Sequence, residues 1–149
     1  MIYVGIDPGQ KGGYAWIWDD NVTVRPWDDD FFVQDMRCLA VTDEEIMACI
    51  EKVGARPGQG TVSMFNFGKS AGYIEGVLSA LGIPYQLVPP NKWKKEFSLI
   101  GKDKKASIEA CRKLFPGAEL KRTERCRTES DGKAEALLMA EWARRKMGC

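Results

Sequence analysis

The opening of the chain constrains its fold most. Met1 to Asp7 (MIYVGID) is rich in β-branched and aromatic residues and alternates as a strand does. Pro8-Gly9-Gln10-Lys11-Gly12-Gly13 reads as a turn, Tyr14 to Trp18 starts a second strand, and Asn21 to Trp27 makes a third after a turn at Asp19-Asp20. Such an opening predicts an antiparallel meander. Past an acidic break at Asp28 to Asp30, helix and strand patterns alternate. A short helical stretch covers Phe31 to Leu39. Phe67, Ala71, Ile74, Val77, Leu78 and Leu81 give helical spacing over Asn66 to Leu81, closed by Gly82, and Phe67 reads there as a core anchor. Tyr85 to Val88 is a strand stopped by Pro89-Pro90. Asn91 to Leu99 and Lys102 to Phe115 are basic helices, Lys121 to Arg127 a basic connector, and Asp131 to Lys146 the last helix. Arg56-Pro57-Gly58-Gln59-Gly60 is a loop. This order predicts an α/β fold with a mixed sheet, and the lack of repeats or a linker predicts one domain over residues 1–149.

Thr42 to Val53 supports two readings. Thr42 with Glu45 has the spacing of a capping box, whereas Met47 to Val53 is apolar enough for a buried strand carrying Glu51. In a helix Glu51 would be an ordinary surface acid. In a central strand a lone buried carboxylate would cost several kcal/mol.

Composition narrows the chemistry. The chain has no histidine, which excludes Ser-His and Cys-His triads and zinc sites that use imidazole. Its five cysteines (Cys38, Cys49, Cys111, Cys126, Cys149) are odd in number and form no C-x-x-C. Without a signal-peptide pattern they read as reduced thiols in an intracellular protein, with Cys49 and Cys111 in the core. No apolar run approaches the ~20 residues that span a bilayer, so no membrane partner is expected. The net charge of +1 conceals a split: residues 1–75 carry 6 basic and 12 acidic side chains, residues 76–149 carry 16 and 9. Within 92–127 the count is 12 against 5, which suits a polyanion partner on one face.

Catalysis without histidine turns attention to carboxylates. Asp7 ends the first strand just before Pro-Gly, where turn formation is the plain alternative. Asp131 and Glu135 are four apart and share one side of the last helix, with a helix cap and a solvated acid as their plain readings. With Glu51 they form an oxygen-only donor set of the type that suits Mg²⁺ or Mn²⁺ in phosphodiester hydrolysis. The residues thus point to a metal-dependent nuclease.

Gly5-Ile6-Asp7-Pro8-Gly9 followed by Gly12-Gly13 resembles the first motif of RuvC-type Holliday junction resolvases, which have the RNase H-like fold. Ile50-Glu51-Lys52-Val53 with Pro57-Gly58-Gln59-Gly60 and Ser63 to Gly68 resembles the second acidic strand and its outgoing loop. Pro90 to Lys94 and Gly101 to Ile108 are similar to the family's basic segments, and Asp131 to Leu137 to its final acidic helix. The resemblance spans nearly the whole chain and is close to the phage-borne branch. It implies a five-stranded mixed sheet with flanking helices, a strand near 47–53, and a homodimer in the cytoplasm of a bacterial cell. The implied activity is two-ion, Mg²⁺-dependent nicking of four-way DNA junctions, leaving 5′-phosphate and 3′-hydroxyl ends with no small-molecule cofactor. Carried over, Asp7, Glu51, Asp131 and Glu135 are the metal ligands and catalytic acids. Lys94 and Lys105 hold phosphates, with Lys104 a further candidate.

Three features depart from that pattern. The two last acids are four apart rather than three, and the second is Glu. The aromatic residue expected shortly after the strand glutamate is missing, since Gly54 follows Val53; Phe65 or Phe67 is the substitute for a ring entering the junction. Ser130 supplies nothing ionisable beside Asp131. Rival readings are an actin-like or sugar-kinase ATPase, which needs far more chain, an inert junction-binding protein, and a nuclease of forks or flaps.

Overall fold

The structure is a computed structural model that describes residues 1–55 and 57–148; Arg56 of the expected 56–60 loop and the Cys149 thiol lie outside the described residues. Three strands, β1 (Ile2–Asp7), β2 (Gly13–Trp18) and β3 (Asn21–Pro26), form the antiparallel meander, with Asp19 at φ 54° in its second turn. Helix α1 (Asp29–Ala40) follows, its start capped by Asp28, which accepts from the Phe31 amide at 2.9 Å. Strand β4 (Ile46–Glu51) pairs parallel with β1, and β5 (Tyr85–Val88) pairs parallel with β4. The sheet order is β3-β2-β1-β4-β5, five strands of mixed direction as expected.

The ambiguous stretch is therefore a strand from Ile46. Thr42 and Glu45 form no capping box: the Thr42 hydroxyl donates to the Leu39 carbonyl at 2.7 Å and closes α1, while the Glu45 carbonyl accepts from Ile2 and opens the parallel ladder. Helix α2 (Thr61–Ala80) begins five residues before the expected Asn66. The basic helices are α3 (Pro90–Glu96) and α4 (Lys104–Leu114), and the last is α5 (Asp131–Met147).

Strand alternation sorts side chains onto two faces. Ile2, Val4 and Ile6 of β1 pack with Ile46, Ala48 and Ile50 of β4 against α1 and α2, where Phe32, Met36, Ile74 and Leu78 complete one core layer. The opposite face takes Cys49, Trp93, Cys111 and the apolar residues of α5, so both cysteines are core residues as expected. Gly5 makes this second layer possible, because a Cβ there would overlap the Ala136 carbonyl of α5. Asp7 shares the face of Gly5 along β1, and Glu51 that of Cys49 along β4. The parallel register Ile6↔Ile50 then sets both acids side by side at the carboxyl ends of neighbouring strands, the usual mouth of an α/β sheet.

A carboxylate cleft as the candidate active site

Helix α5 is buried almost all round, the pattern of a helix inside a core. Between residues 131 and 143 the two positions that are not buried are Asp131 and Glu135. Both open onto the cleft that Asp7 and Glu51 line, a space of about 990 Å³. The helix is capped by Ser130, whose hydroxyl accepts from the Lys133 amide at 3.3 Å, so Asp131 is released from capping. Gly132 brings the helix onto the β1–β2 turn, since a Cβ there would overlap the Lys11 carbonyl. Two side chains anchor the 121–130 connector: buried Lys133 donates to the Lys121 carbonyl at 2.7 Å, and Arg122 reaches the Gln10 carbonyl at 2.6 Å.

The acids act on one another. Burial, and next the negative charges of Glu51, Glu135 and Asp131, push the Asp7 carboxyl well above its ordinary value. Burial also raises Glu135, opposed chiefly by the positive charge of Lys94 and by the Ser107 hydroxyl, which donates to Glu135 Oε1 at 3.2 Å. Glu51 Oε2 accepts the indole N–H of Trp93 at 2.8 Å. Asp131 Oδ2 lies 3.2 Å from the Lys104 ammonium. Among the described residues no three acids or thiols converge into a group that could hold an ion as they stand; the four carboxylates ring the cleft. Their chemistry nevertheless fits a hard divalent cation, because the donors are all oxygen and their mutual repulsion is the deficit such an ion corrects.

Of the basic residues expected here, Lys94 and Lys104 line the cleft. Lys105 does not line it and is exposed one residue further along α4. Phe67 is not a core anchor: it is 38% exposed and lines the cleft with its ring over Gly9, whose φ of 110° favours glycine. It sits within α2, whose start at Thr61 carries residues 61–67 as helix. Phe65 is 70% exposed and lies outside the cleft lining. Sequence reasoning missed Lys11, Lys69 and Lys102, which also line it, and the part of Trp93 in holding Glu51. Lys11 could have been found as the cation inside the glycine-rich turn next to Asp7.

No protein-family model matches the chain. Two solved structures cover 99% of this chain and 97% of their own. One is Thermus thermophilus RuvC in complex with a Holliday junction substrate, with TM-score 0.60 and 14% sequence identity. The other is T. thermophilus RuvC, with TM-score 0.55 and 15% identity. The chain has the RNase H-like fold of RuvC. In sequence this chain is 34% identical over 88 residues to the chloroplastic Holliday junction resolvase MOC1 of Chlamydomonas reinhardtii. That match takes in 58% of this chain, which spans about a tenth of the length of the curated relative.

Proposed function

We propose that this protein is a Mg²⁺-dependent endonuclease that resolves four-way DNA junctions, with Mn²⁺ able to replace Mg²⁺. The carrying observation is the gathering of Asp7, Glu51, Asp131 and Glu135 around one cleft flanked by lysines. The RuvC-like fold and the sequence similarity to a junction resolvase support the same reading.

In this reading the four carboxylates hold two divalent ions. When bound, the ions supply the Lewis acidity that lowers the pKa of an attacking water and offsets charge on the leaving 3′ oxygen, so the ends are 5′-phosphate and 3′-hydroxyl. Trp93 fixes the rotamer of Glu51, and Ser107 does the same for Glu135. Lys94, Lys102 and Lys104 draw the phosphate backbone into the cleft, while exposed Lys105 meets it further out. Phe67 offers its ring to an unpaired base at the branch point, with Phe65 the alternative ring.

The protein acts as a homodimer in this proposal, so that two clefts nick opposed strands symmetrically. Helix α2 supports it: Val62 and Phe65 are exposed, and Gly68, Gly72 and Gly76 leave open space along the same helix. The free buried thiols of Cys49 and Cys111 fit a reducing compartment such as the bacterial cytoplasm. The test is cleavage of four-way junction, fork, flap and linear duplex with Mg²⁺. Junction cut fastest, in paired nicks, is the expected result. Linear duplex cut as fast as junction overturns the resolvase reading, and fork or flap cut fastest replaces it with another branched-DNA nuclease.

A further inference from the structure

A cation already stands at one of the four acids. The Lys104 ammonium lies 3.2 Å from Asp131 Oδ2, and among the described residues this is the ion pair made by any of the four acids. Lys104 is the first residue of α4, and Asp103 holds that helix end in place by accepting from the Ala106 amide at 3.1 Å. The charge of Lys104 reaches beyond its partner, since it also acts on Asp7 and Glu135. The contact is loose at the lysine end: the Lys104 side chain is 79% exposed and that of Asp131 33%. Exposed pairs of this kind are weak, and the long stem lets the ammonium move with little loss.

We infer that Lys104 is the resident counter-cation of the carboxylate cleft, seated on Asp131 in the metal-free protein and displaced toward the open cleft when a divalent ion binds. The inference rests on the reading that these acids hold such an ion. A divalent cation held by these acids would take the same carboxylate oxygens, and its charge would repel an ammonium seated on them. Ion and lysine therefore compete for Asp131. The released ammonium remains in the cleft, free for a DNA phosphate. Metal binding thus prepares the DNA contact, and by linkage DNA that engages Lys104 tightens the metal. Toward the metal, Lys104 acts only through Asp131.

The experiment titrates Mn²⁺ into the DNA-free protein, following free Mn²⁺ by its EPR signal and the thermal midpoint in parallel. It compares the wild type with Lys104→Gln, Lys104→Arg and Lys105→Gln. Lys104→Gln is expected to bind Mn²⁺ about two- to fivefold more tightly, the fold-change equivalent to losing a weak surface ion pair. Its metal-free midpoint falls and its rise on adding metal grows. Lys105→Gln, with the same charge change one residue away, and Lys104→Arg, which keeps the charge, stay at the wild-type affinity. Lys104→Gln binding no more tightly than Lys105→Gln overturns the inference and leaves the metal site standing. A wild type that binds no Mn²⁺ removes the metal site itself and the inference with it.

Discussion

The indole N–H of Trp93 donates to Glu51 Oε2 at 2.8 Å, joining the basic helix α3 to the acid at the end of β4. The ring is fully buried, so the bond is shielded and the Glu51 carboxylate is held to one direction. The same arrangement sets the next residue, Lys94, to act on Glu135 across the cleft. Trp93→Phe keeps most of the ring and removes the donor. It should cost about 2–4 kcal/mol of stability, from one lost hydrogen bond and the cavity left where the larger ring was buried, and about tenfold in Mn²⁺ affinity and cleavage rate through the misdirected carboxylate. Calorimetry and a junction-cleavage time course measure the two effects. Unchanged metal affinity would mean that Glu51 does not hold the ion.

Asp7→Asn preserves shape and removes one negative ligand. Mg²⁺-dependent cleavage should fall by roughly a hundredfold or more, while junction binding persists or tightens because the cleft lysines are untouched. Glu51→Gln should behave alike, since both acids stand side by side at the strand ends. Gel-shift and cleavage assays on the same samples separate the two properties. An Asp7→Asn protein that cuts at the normal rate rules out the proposed mechanism.

A pH dependence follows from the same residue. The folded Asp7 carboxyl is raised well above its ordinary value, by burial first and neighbouring acids second. From about pH 4, where the unfolded carboxyl loses its proton, up to the raised folded value, the native state holds the extra proton. Stability of the metal-free protein therefore declines as pH rises through that window. Denaturant melts across pH should show the decline in the wild type, a smaller one in Asp7→Asn, and relief of the wild-type loss by Mg²⁺. Identical pH profiles for the two proteins would contradict it.

The two rings on α2 are expected to separate. Phe67→Ala should weaken junction binding by about 1–3 kcal/mol relative to linear duplex, the contribution of one base stacked on a ring. Its melting temperature should change little, because the ring is 38% exposed. Phe65→Ala, outside the cleft lining, should affect junction preference less. A larger loss for Phe65→Ala would move the branch point away from Phe67. The comparison is one of dissociation constants on the two substrates.

Lys94 and Lys105 should divide by readout. Each phosphate contact removed flattens the logarithmic salt slope of DNA binding by about 0.9, so either alanine variant that touches the backbone lowers the slope. Lys94→Ala should also slow cleavage of fully bound junction, since Lys94 lines the cleft and Lys105 does not. Single-turnover rates at saturating protein make the distinction. Equal slowing by both variants would place the scissile phosphate nearer the outer face of α4.

The sequence by itself determined the meander, the acid closing β1, and the paired acids on one side of α5, because these depend on alternation and helical spacing, which are local. The absence of histidine likewise excluded imidazole chemistry, and the charge split suggested a polyanion partner. Local signals at Ile46–Glu51 allow helix as well as strand; the family resemblance implied the strand, and the parallel ladders with β1 and β5 are what hold it. That pairing makes Glu51 a cleft acid rather than a surface residue. Tertiary packing also selected Lys104 over Lys105, adjacent in sequence but separated by about 100° around a helix of 3.6 residues per turn. It likewise turned Phe67 into the cleft, where the packing of α2 lays that ring over Gly9. Spacing says which residues share a side of their own element; which side faces the cleft follows from how the elements pack.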